Sequence, residues 1–155
     1  MDILDVNVGL PEIDEAEMLK NAVCKLQSII DLPLQIDTSN IEAMEIALRR
    51  YNGKALINSV NGKQESMDAI FPLAKKYGGV IIALTLDEDG IPETAIGRLK
   101  IAEKILKEAE KYGIHKKDIV FDPLAMAVSA DKSAATVTLA TLRELKKRGY
   151  LTSLG

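Results

Sequence analysis

The sequence is poor in residues that usually hold metals or form disulfides: its 155 residues include one cysteine, Cys24, and one histidine, His115. A single cysteine cannot form a disulfide within the chain, which is typical of proteins from a reducing cytoplasm. No Cys and His residues have the spacing of a zinc site, so we expect no metal bound by this chain. His115 falls in a loop between a helix and a strand, and Cys24 falls among apolar helix residues, which predicts an inert core thiol.

Long apolar runs and an excess of positive charge are also missing. The chain carries 20 Lys and Arg against 23 Asp and Glu, a net charge of −3. This balance provides no basic face for nucleic acid or anionic lipid, so neither is an expected partner. No apolar run has the length of a membrane-spanning helix, and the N-terminus lacks the pattern of a signal peptide. The sequence therefore predicts a cytoplasmic protein without a membrane partner.

The sequence does contain a strict alternation of two patterns. The first is a short apolar run that lacks the polar-apolar alternation of a strand exposed on one face. Such runs are typical of parallel strands in a sheet that is covered on both faces. Six runs of this kind are present, at residues 3–8, 34–38, 55–60, 80–86, 119–124 and 150–155.

The second pattern is an amphipathic helix, and it fills the intervals between the strands. In the fourth helix Ile101, Ile105 and Ala109 fall on one stripe, while lysines and glutamates occupy the opposite side. Alternating strands and helices predict a parallel sheet with right-handed crossovers. The helix patterns cover residues 14–31, 40–51, 64–77, 95–112 and 133–148.

Polar side chains stand at the carboxyl end of nearly every predicted strand. In an open doubly wound sheet, ligand-binding groups gather where the strand order reverses. In a (β/α)8 barrel every strand directs its carboxyl end to one shared mouth, and no glycine-rich nucleotide loop favours the open sheet here. The pattern therefore predicts the α/β class with a (β/α)8 TIM-barrel type. The polar residues are Asp5, Asn7, Asp37, Asn58, Asn61, Thr85, Asp87 and Asp122.

The length of the chain allows only part of such a barrel. A complete barrel takes about 250 residues, or about 31 for each unit of one strand and one helix. On that scale the chain holds about five units. We therefore expect one domain over residues 1–155 that is incomplete at both ends.

Five motifs at successive strand ends resemble the pterin-binding methyltransferase family. They are "DILDVNVG", "LQIDTSN", "ALINSVNG", "LTLDEDGIPET" and "FDPLAMAVSA", in this order. The family includes the folate domain of cobalamin-dependent methionine synthase and the methyltetrahydrofolate:corrinoid methyltransferases. The resemblance covers essentially the whole chain, and it implies a barrel segment of about strands 2 to 7.

The resemblance implies that Asp37, Asn58 and Asp122 bind the pterin ring. A pterin edge combines N–H donors with ring-nitrogen and carbonyl acceptors, which carboxylate and amide side chains complement. The same resemblance implies that the mouth is also lined by Asp5, Asn7 and Asn61.

Some of these polar positions also have a purely structural interpretation. Thr, Ser and Asn are preferred at helix N-termini, so residues 38–40 are expected to cap the helix that follows them. Asn61 precedes a glycine, and this pair is equally consistent with a plain turn. Asp122 precedes a proline, so a turn role is an alternative there as well.

The resemblance further implies that methyltetrahydrofolate is the methyl donor and that a Co(I) corrinoid, cobalamin, on a partner domain or protein is the acceptor. The leaving N5 is a tertiary amine, which must gain positive charge before or during transfer. In the family, protonation of N5 involves an Asn that would follow Gly155. No catalytic residue is therefore assigned in this sequence, and the chain alone is expected to turn over poorly. In methionine synthases zinc and homocysteine belong to a different domain.

Three other interpretations are open at this point. The chain could be a pterin-binding module without catalysis, or an unrelated α/β scaffold with a polar mouth. A dihydropteroate synthase-like enzyme is the third, although "NVGLPEIDE" replaces the glycine-rich segment that follows the corresponding Asp-Val in that family. Because an unclosed parallel sheet exposes backbone groups and apolar faces, we also expect self-association.

Overall fold

A single sheet of six parallel strands organises the protein. The structure is a computed structural model that describes residues 2–126 and 132–154. Each strand pairs with the next one in the sequence, so the spatial order runs from β1 to β6 without a reversal. The strands are β1 (Leu4–Val6), β2 (Leu34–Asp37), β3 (Leu56–Asn61), β4 (Val80–Leu84), β5 (Ile119–Asp122) and β6 (Leu151–Thr152).

The helices form one layer on one side of this sheet. Right-handed crossovers between sequential parallel strands place every connection on the same face, and neighbouring helices contact each other in chain order. This is the arrangement within a (β/α)8 barrel, whereas a doubly wound sheet carries helices on both faces. The helices are α1 (Glu15–Leu26), α2 (Ile41–Arg50), α3 (Gln64–Tyr77), α4 (Ala95–Lys111) and α5 (Lys132–Lys147).

Local sequence signals set several helix ends. Asp14, Asn40 and Thr94 stand immediately before α1, α2 and α4, and each side chain accepts a hydrogen bond from a backbone N–H of the first turn. Such side chains satisfy backbone donors that have no partner within the helix. At the other end of α3, Gly78 adopts a φ of 73°, a left-handed conformation that favours glycine.

The predicted order of strands and helices is confirmed, and the differences lie at the ends of elements. The first helix, predicted over 14–31, ends at Leu26 because the following backbone N–H groups turn back onto its last carbonyls. The last strand, predicted over 150–155, is limited to Leu151–Thr152. Residues 127–130, which end the fifth motif, lie outside the described residues.

The hydrophobic core lies between the sheet and the helix layer. In β2, Leu34 and Ile36 are fully buried toward the helices, whereas Gln35 and Asp37 are only partly buried on the opposite face. The prediction that both faces of the sheet are covered is wrong for β2, because the helices lie on one side of it, whereas Ile82 of β4 is buried on the opposite side as well. We call the helix-free face, which carries Gln35 and Asp37, the inner face.

Cys24 is exposed on α1, so the prediction of a core thiol is also wrong. The buried stripe of this helix is formed by Leu19 and Val23. Successive helix residues are rotated by about 100°, so the residue after Val23 points well away from the core.

Candidate functional site

Strand register brings three of the predicted residues together at the carboxyl edge of the sheet. Asp37 ends β2 and is the register partner of Asn58 in β3. Val6 pairs with Ile36, so the next residue along β1, Asn7, reaches the level of Asp37. Register partners on neighbouring strands point to the same face, which places these three polar side chains on the inner face.

A hydrogen bond joins Asn7 to Asp37. The Nδ2 group of Asn7 donates to Oδ2 of Asp37 at 3.0 Å, and Oδ1 of Asn7 accepts from the backbone N–H of Gly9 at 3.0 Å. The amide of Asn7 is therefore held from both ends, with its nitrogen toward the carboxylate. Within the described residues Oδ1 of Asp37 forms no hydrogen bond, which leaves one acceptor of this carboxylate for a ligand.

Asp5 belongs to a separate pair, two residues further from the edge. Its register partner Gln35 donates from Nε2 to Oδ1 of Asp5 at 2.6 Å. The bond links β1 to β2 across the inner face, but Asp5 itself is exposed. Asp5 therefore lies on the inner face, further from the carboxyl edge than the Asn7–Asp37 pair.

A bulge in β3 brings Asn58 and Asn61 to the same site. In a regular strand, side chains three positions apart point to opposite faces. Here the register with β4 shifts between Asn58 and Val60, so that Ser59 is an extra residue without a register partner on β4. The extra residue changes the alternation, and both asparagines line one cavity.

Asn61 also forms the turn that its sequence context suggests. Its Oδ1 accepts from the backbone N–H of Lys63 at 2.9 Å, and its own N–H donates to the Ser66 hydroxyl at 3.1 Å. The N–H of Gly62 then donates to the carbonyl of Leu86 at 2.7 Å. A Cβ atom at this glycine would lie 2.9 Å from that carbonyl oxygen, so the close approach of the two chain segments requires glycine. The turn interpretation of Asn61 is confirmed.

The cavity at this edge has a volume of about 500 Å³, within the range of small-molecule sites. The ends of β2 and β3 and the first turns of α2 and α3 form its walls. Asp37, Asn58 and Asn61 are the predicted residues that line it. The other polar residues that line it were not predicted from the sequence to do so: Thr38, Ser39, Ser59, Lys63, Glu65 and Ser66.

Asp122 ends β5 at the level of Leu84, two strands beyond β3, and it does not line this cavity. Its backbone carbonyl accepts from both the N–H and the hydroxyl of Thr85, each at 3.2 Å. Its side-chain Oδ1 accepts from the backbone N–H of Leu124 at 2.7 Å. The turn interpretation of Asp122 is thereby confirmed, and the contact uses one of its two carboxylate oxygens.

The polar run after β2 caps the next helix through one residue. Oδ1 of Asn40 accepts from the backbone N–H of Ala43 at 3.1 Å, which confirms the predicted cap at this position. The hydroxyl of the buried Thr38 accepts from the N–H of Asn40 at 3.0 Å and donates to the carboxylate of Glu15. Thr38 therefore holds the backbone of the capping residue, and both Thr38 and Ser39 line the cavity.

Arg98, which was not predicted from the sequence, lies in α4 and is only 2% exposed. Its guanidinium bonds the carbonyls of the two residues that follow Asp122. Burial lowers the pKa of this group from its ordinary value. A signal was present in the sequence, because Arg98 precedes Ile101 and Ala102 by three and four positions and so falls on the buried stripe of the helix.

Within residues 2–126 and 132–154, no group of three or more His, Cys, Asp or Glu side chains is placed to hold a metal ion. His115 is exposed and precedes β5, at the edge of the sheet opposite to the cavity. In the same part of the chain, no helix combines the length and the apolar character needed to cross a bilayer.

Sequence comparison relates the chain to a family of pterin binding enzymes. The profile of the family described as pterin binding enzyme matches residues 1–155. Methylcorrinoid:tetrahydrofolate methyltransferase of Eubacterium limosum is 31% identical over 131 residues, which cover 83% of this chain and 48% of that protein. Methionine synthase of Mycobacterium tuberculosis is 26% identical over 156 residues, which cover 94% of this chain and 13% of that protein. The chain therefore spans less than half the length of these relatives.

Solved structures show the fold to which the six strands belong. Dihydropteroate synthase from Xanthomonas albilineans, in complex with 7,8-dihydropteroate, has a TM-score of 0.76 at 21% identity and covers 99% of this chain and 57% of that chain. The enzyme from Vibrio fischeri has a TM-score of 0.72 at 18% identity, over 99% and 61%. This likeness identifies the sheet and its helices as part of a TIM barrel. With a family profile that matches the whole chain, the protein belongs to the pterin binding enzyme family.

Proposed function

We propose that this chain binds the pterin ring of a reduced folate at the carboxyl edge of its sheet. The observation that carries the proposal is the register pair of Asp37 and Asn58. This pair puts a carboxylate and an amide side by side at the carboxyl edge of the sheet, where both line the same cavity. Membership of the pterin binding enzyme family supports the choice of ligand.

The donor and acceptor groups of these side chains complement a pterin. A pterin presents parallel N–H donors beside ring nitrogen and carbonyl acceptors, and bonds from such donors to a carboxylate are charge-assisted. Oδ2 of Asp37 already accepts from Asn7, so Oδ1 is the atom that would accept from the ring. Asn58 would supply one donor and one acceptor, and Asp122 would supply Oδ2, because its Oδ1 is bonded to Leu124.

The reaction we propose is transfer of the N5 methyl group of 5-methyltetrahydrofolate to a corrinoid carried by a partner domain or protein. The 31% sequence identity to methylcorrinoid:tetrahydrofolate methyltransferase supports this class of reaction. When the methyl group is transferred to the Co(I) corrinoid, its C–N5 bond breaks, the cobalt supplies the electron pair of the new bond, and N5 keeps its own pair and takes up a proton. Asp37, Asn58 and Asp122 would hold the ring and thereby orient N5 toward the partner.

The first test of this proposal measures pterin binding. The chain is titrated with 5-methyltetrahydrofolate by isothermal calorimetry, beside Asp37→Asn and the control Asp31→Asn, an exposed aspartate just before β2. We expect Asp37→Asn to weaken binding about tenfold, through the loss of a charge-assisted acceptor, and Asp31→Asn to leave it unchanged. A wild-type chain that does not bind would overturn the proposal.

The second test separates the possible reactions. The chain is mixed with 5-methyltetrahydrofolate and a Co(I) corrinoid protein, and single-turnover formation of methylcobalt is followed by its visible absorbance. In parallel, the chain receives a dihydropterin pyrophosphate and 4-aminobenzoate. Methyl transfer supports the proposed reaction. Formation of dihydropteroate instead would make the chain a dihydropteroate synthase-like enzyme. Because the chain alone is expected to turn over poorly, any methyl transfer above a protein-free blank counts as activity, and binding with neither product above that blank would make the chain a non-catalytic module.

The proposal also includes a cytoplasmic location and association of the chain through the edges of its sheet. β1 and β6 each pair on one side only within the described sheet. Ile3, Leu151 and Leu154 are exposed beside these edges, and unpaired strand edges readily pair with other chains. Sedimentation velocity at micromolar concentration tests the association, and a stable monomer would contradict it.

A further inference from the structure

Among the residues that the structure describes, Arg98 is the one charged residue that is buried. It lies in the first turn of α4, just after the N-cap Thr94, at the carboxyl edge of the sheet. An ionised group is costly to bury unless hydrogen-bond partners satisfy it, so the contacts of this guanidinium indicate what it does.

The guanidinium joins two segments that flank the site. Its Nε donates to the carbonyl of Pro92, in the loop before α4, at 3.0 Å. Its Nη1 donates to the carbonyls of Pro123 and Leu124, the second at 2.9 Å. Nη1 also lies 3.1 Å from the hydroxyl of Thr138 on α5, which is 2.8 Å from the Leu124 carbonyl.

These contacts converge on a residue with an unusual backbone conformation. Leu124 has a φ of 62°, a left-handed value that is rare for a residue other than glycine and that persists where the surroundings fix it. Its carbonyl is held by Arg98 and Thr138, and its N–H donates to Oδ1 of Asp122 at 2.7 Å. One peptide segment therefore connects the buried guanidinium to the carboxylate.

We infer that Arg98 is a positioning residue for Asp122. By holding the carbonyls of Pro123 and Leu124, it fixes the Leu124 N–H, and this N–H orients the Asp122 carboxylate toward a bound ligand. The effect on affinity rests on the proposed pterin binding, whereas the link from Arg98 to the carboxylate can be tested without any ligand.

The chemistry requires arginine and not simply a positive charge. A planar guanidinium presents several N–H donors in a rigid fork, so it can bond Pro92 on one side and the two carbonyls on the other. A lysine keeps the charge but places it on a single nitrogen that cannot span both segments. Arg98→Lys is therefore the informative variant, and Arg49→Lys on the exposed face of α2 is its matched control.

The affinity test uses double-mutant cycles on the full chain with 5-methyltetrahydrofolate. We expect Arg98→Lys to weaken binding roughly tenfold, because the Asp122 carboxylate would no longer be oriented toward the ligand. Arg49→Lys should leave the affinity unchanged. Combined with Asp122→Asn, the arginine variant should add almost nothing, because its effect acts through that carboxylate. Combined with Asp37→Asn, the two losses should multiply. Equal, independent losses in both cycles would show a general structural role and overturn the inference.

The ligand-free test measures amide hydrogen exchange by NMR. Arg98→Lys should speed exchange of the Leu124 amide at least tenfold, by freeing the peptide segment, while amides of β2 and β3 keep their wild-type rates. Thr138→Val, which removes the second donor to the same carbonyl from a different helix, should produce a smaller increase at the same amide. An unchanged Leu124 rate in Arg98→Lys, or a uniform increase over the whole sheet, would overturn the inference. A wild-type chain that binds no pterin would overturn the proposed function. The exchange measurement would still decide the role of Arg98.

Discussion

Asp37 and Asp122 each end a strand at the same edge of the sheet, and the protein holds them in different ways. Asp37 bonds the side-chain amide of Asn7, an exposed residue just after the edge strand β1. Asp122 bonds a backbone N–H, that of Leu124, in a segment that is held by a buried arginine. One carboxylate is fixed by a surface side chain, and the other by the main chain and the interior.

The difference shows that equivalent sequence positions need not be equally rigid. A rotamer change of the exposed Asn7 would break its two hydrogen bonds but no buried contact of this side chain, so the Asp37 side of the site can readjust. The Asp122 side can move only if backbone bonds and the contacts of a buried charge break, which costs more free energy. Substitutions on the two sides should therefore differ in the size of their effects.

The largest effect is expected from Asp122→Asn. It replaces a charge-assisted acceptor by an amide donor that faces the donor of the ring, which should cost about 2–4 kcal/mol of pterin binding. Stability without ligand should change by less than about 1 kcal/mol, because the Asn carbonyl can still accept from Leu124. Calorimetric affinity and thermal unfolding are measured on one preparation. Unchanged affinity with a large loss of stability would make Asp122 a structural residue.

Gly62→Ala tests the close approach of two chain segments that lie between the two carboxylates. The added Cβ would lie 2.9 Å from the carbonyl oxygen of Leu86, so the turn after β3 must shift away from the next loop. We expect the free energy of unfolding to fall by about 1–3 kcal/mol, measured by urea denaturation. Gly53→Ala is the control, because the atoms nearest to its Cβ, at 3.2 Å, belong to the side chain of Tyr51 and not to the backbone. Equal stability of the two variants would contradict the assigned close approach.

Asn40→Ala separates capping from binding on the Asp37 side. Loss of the bond to the Ala43 N–H should lower the free energy of unfolding by about 1 kcal/mol. Pterin affinity should remain at the wild-type value, since the side chain of Asn40 is engaged with the helix. A loss of affinity without a loss of stability, seen in the same two measurements, would instead place Asn40 in the binding site.

The smallest effect is expected from Asn7→Ala. Asp37 would lose the amide that orients it, and binding should weaken by about 0.5–1 kcal/mol, the value of one partly exposed hydrogen bond. Gln35→Ala is the matched control, because it removes the corresponding partner of Asp5 further from the edge. A loss in Asn7→Ala as large as that in Asp122→Asn would show that the two sides are equally rigid.

The features that the sequence predicts are those encoded locally. Apolar runs, helix periodicity and cap residues such as Asn40 are sufficient to order the strands and helices. The position of Asp37 and Asn58 at strand ends then follows, because parallel strands bring their carboxyl ends to one edge. The binding role of these residues stays a prediction.

The features that the sequence does not predict depend on contacts between distant segments. The bulge at Ser59 changes which residues share a face, and it is visible only in the pairing with β4. The exposure of Cys24 depends on the exact rotation of α1 on the sheet. Arg98 is a charged residue on an apolar stripe, which is a visible conflict in the sequence, but its partners come from three other segments of the chain.

The shared anchor at Arg98 has a consequence for conformational entropy. Because one guanidinium bonds Pro92 before α4 and Pro123 after β5, the two segments cannot fluctuate independently. A ligand that contacts Asp122 therefore meets a surface that is already ordered, and it loses little chain entropy there. Under the proposed binding mode, adaptation to ligands of different shape is expected on the opposite side of the site, around the exposed Asn7 and the loop that follows it. Tolerance for substituents on the ligand should accordingly be asymmetric across the site.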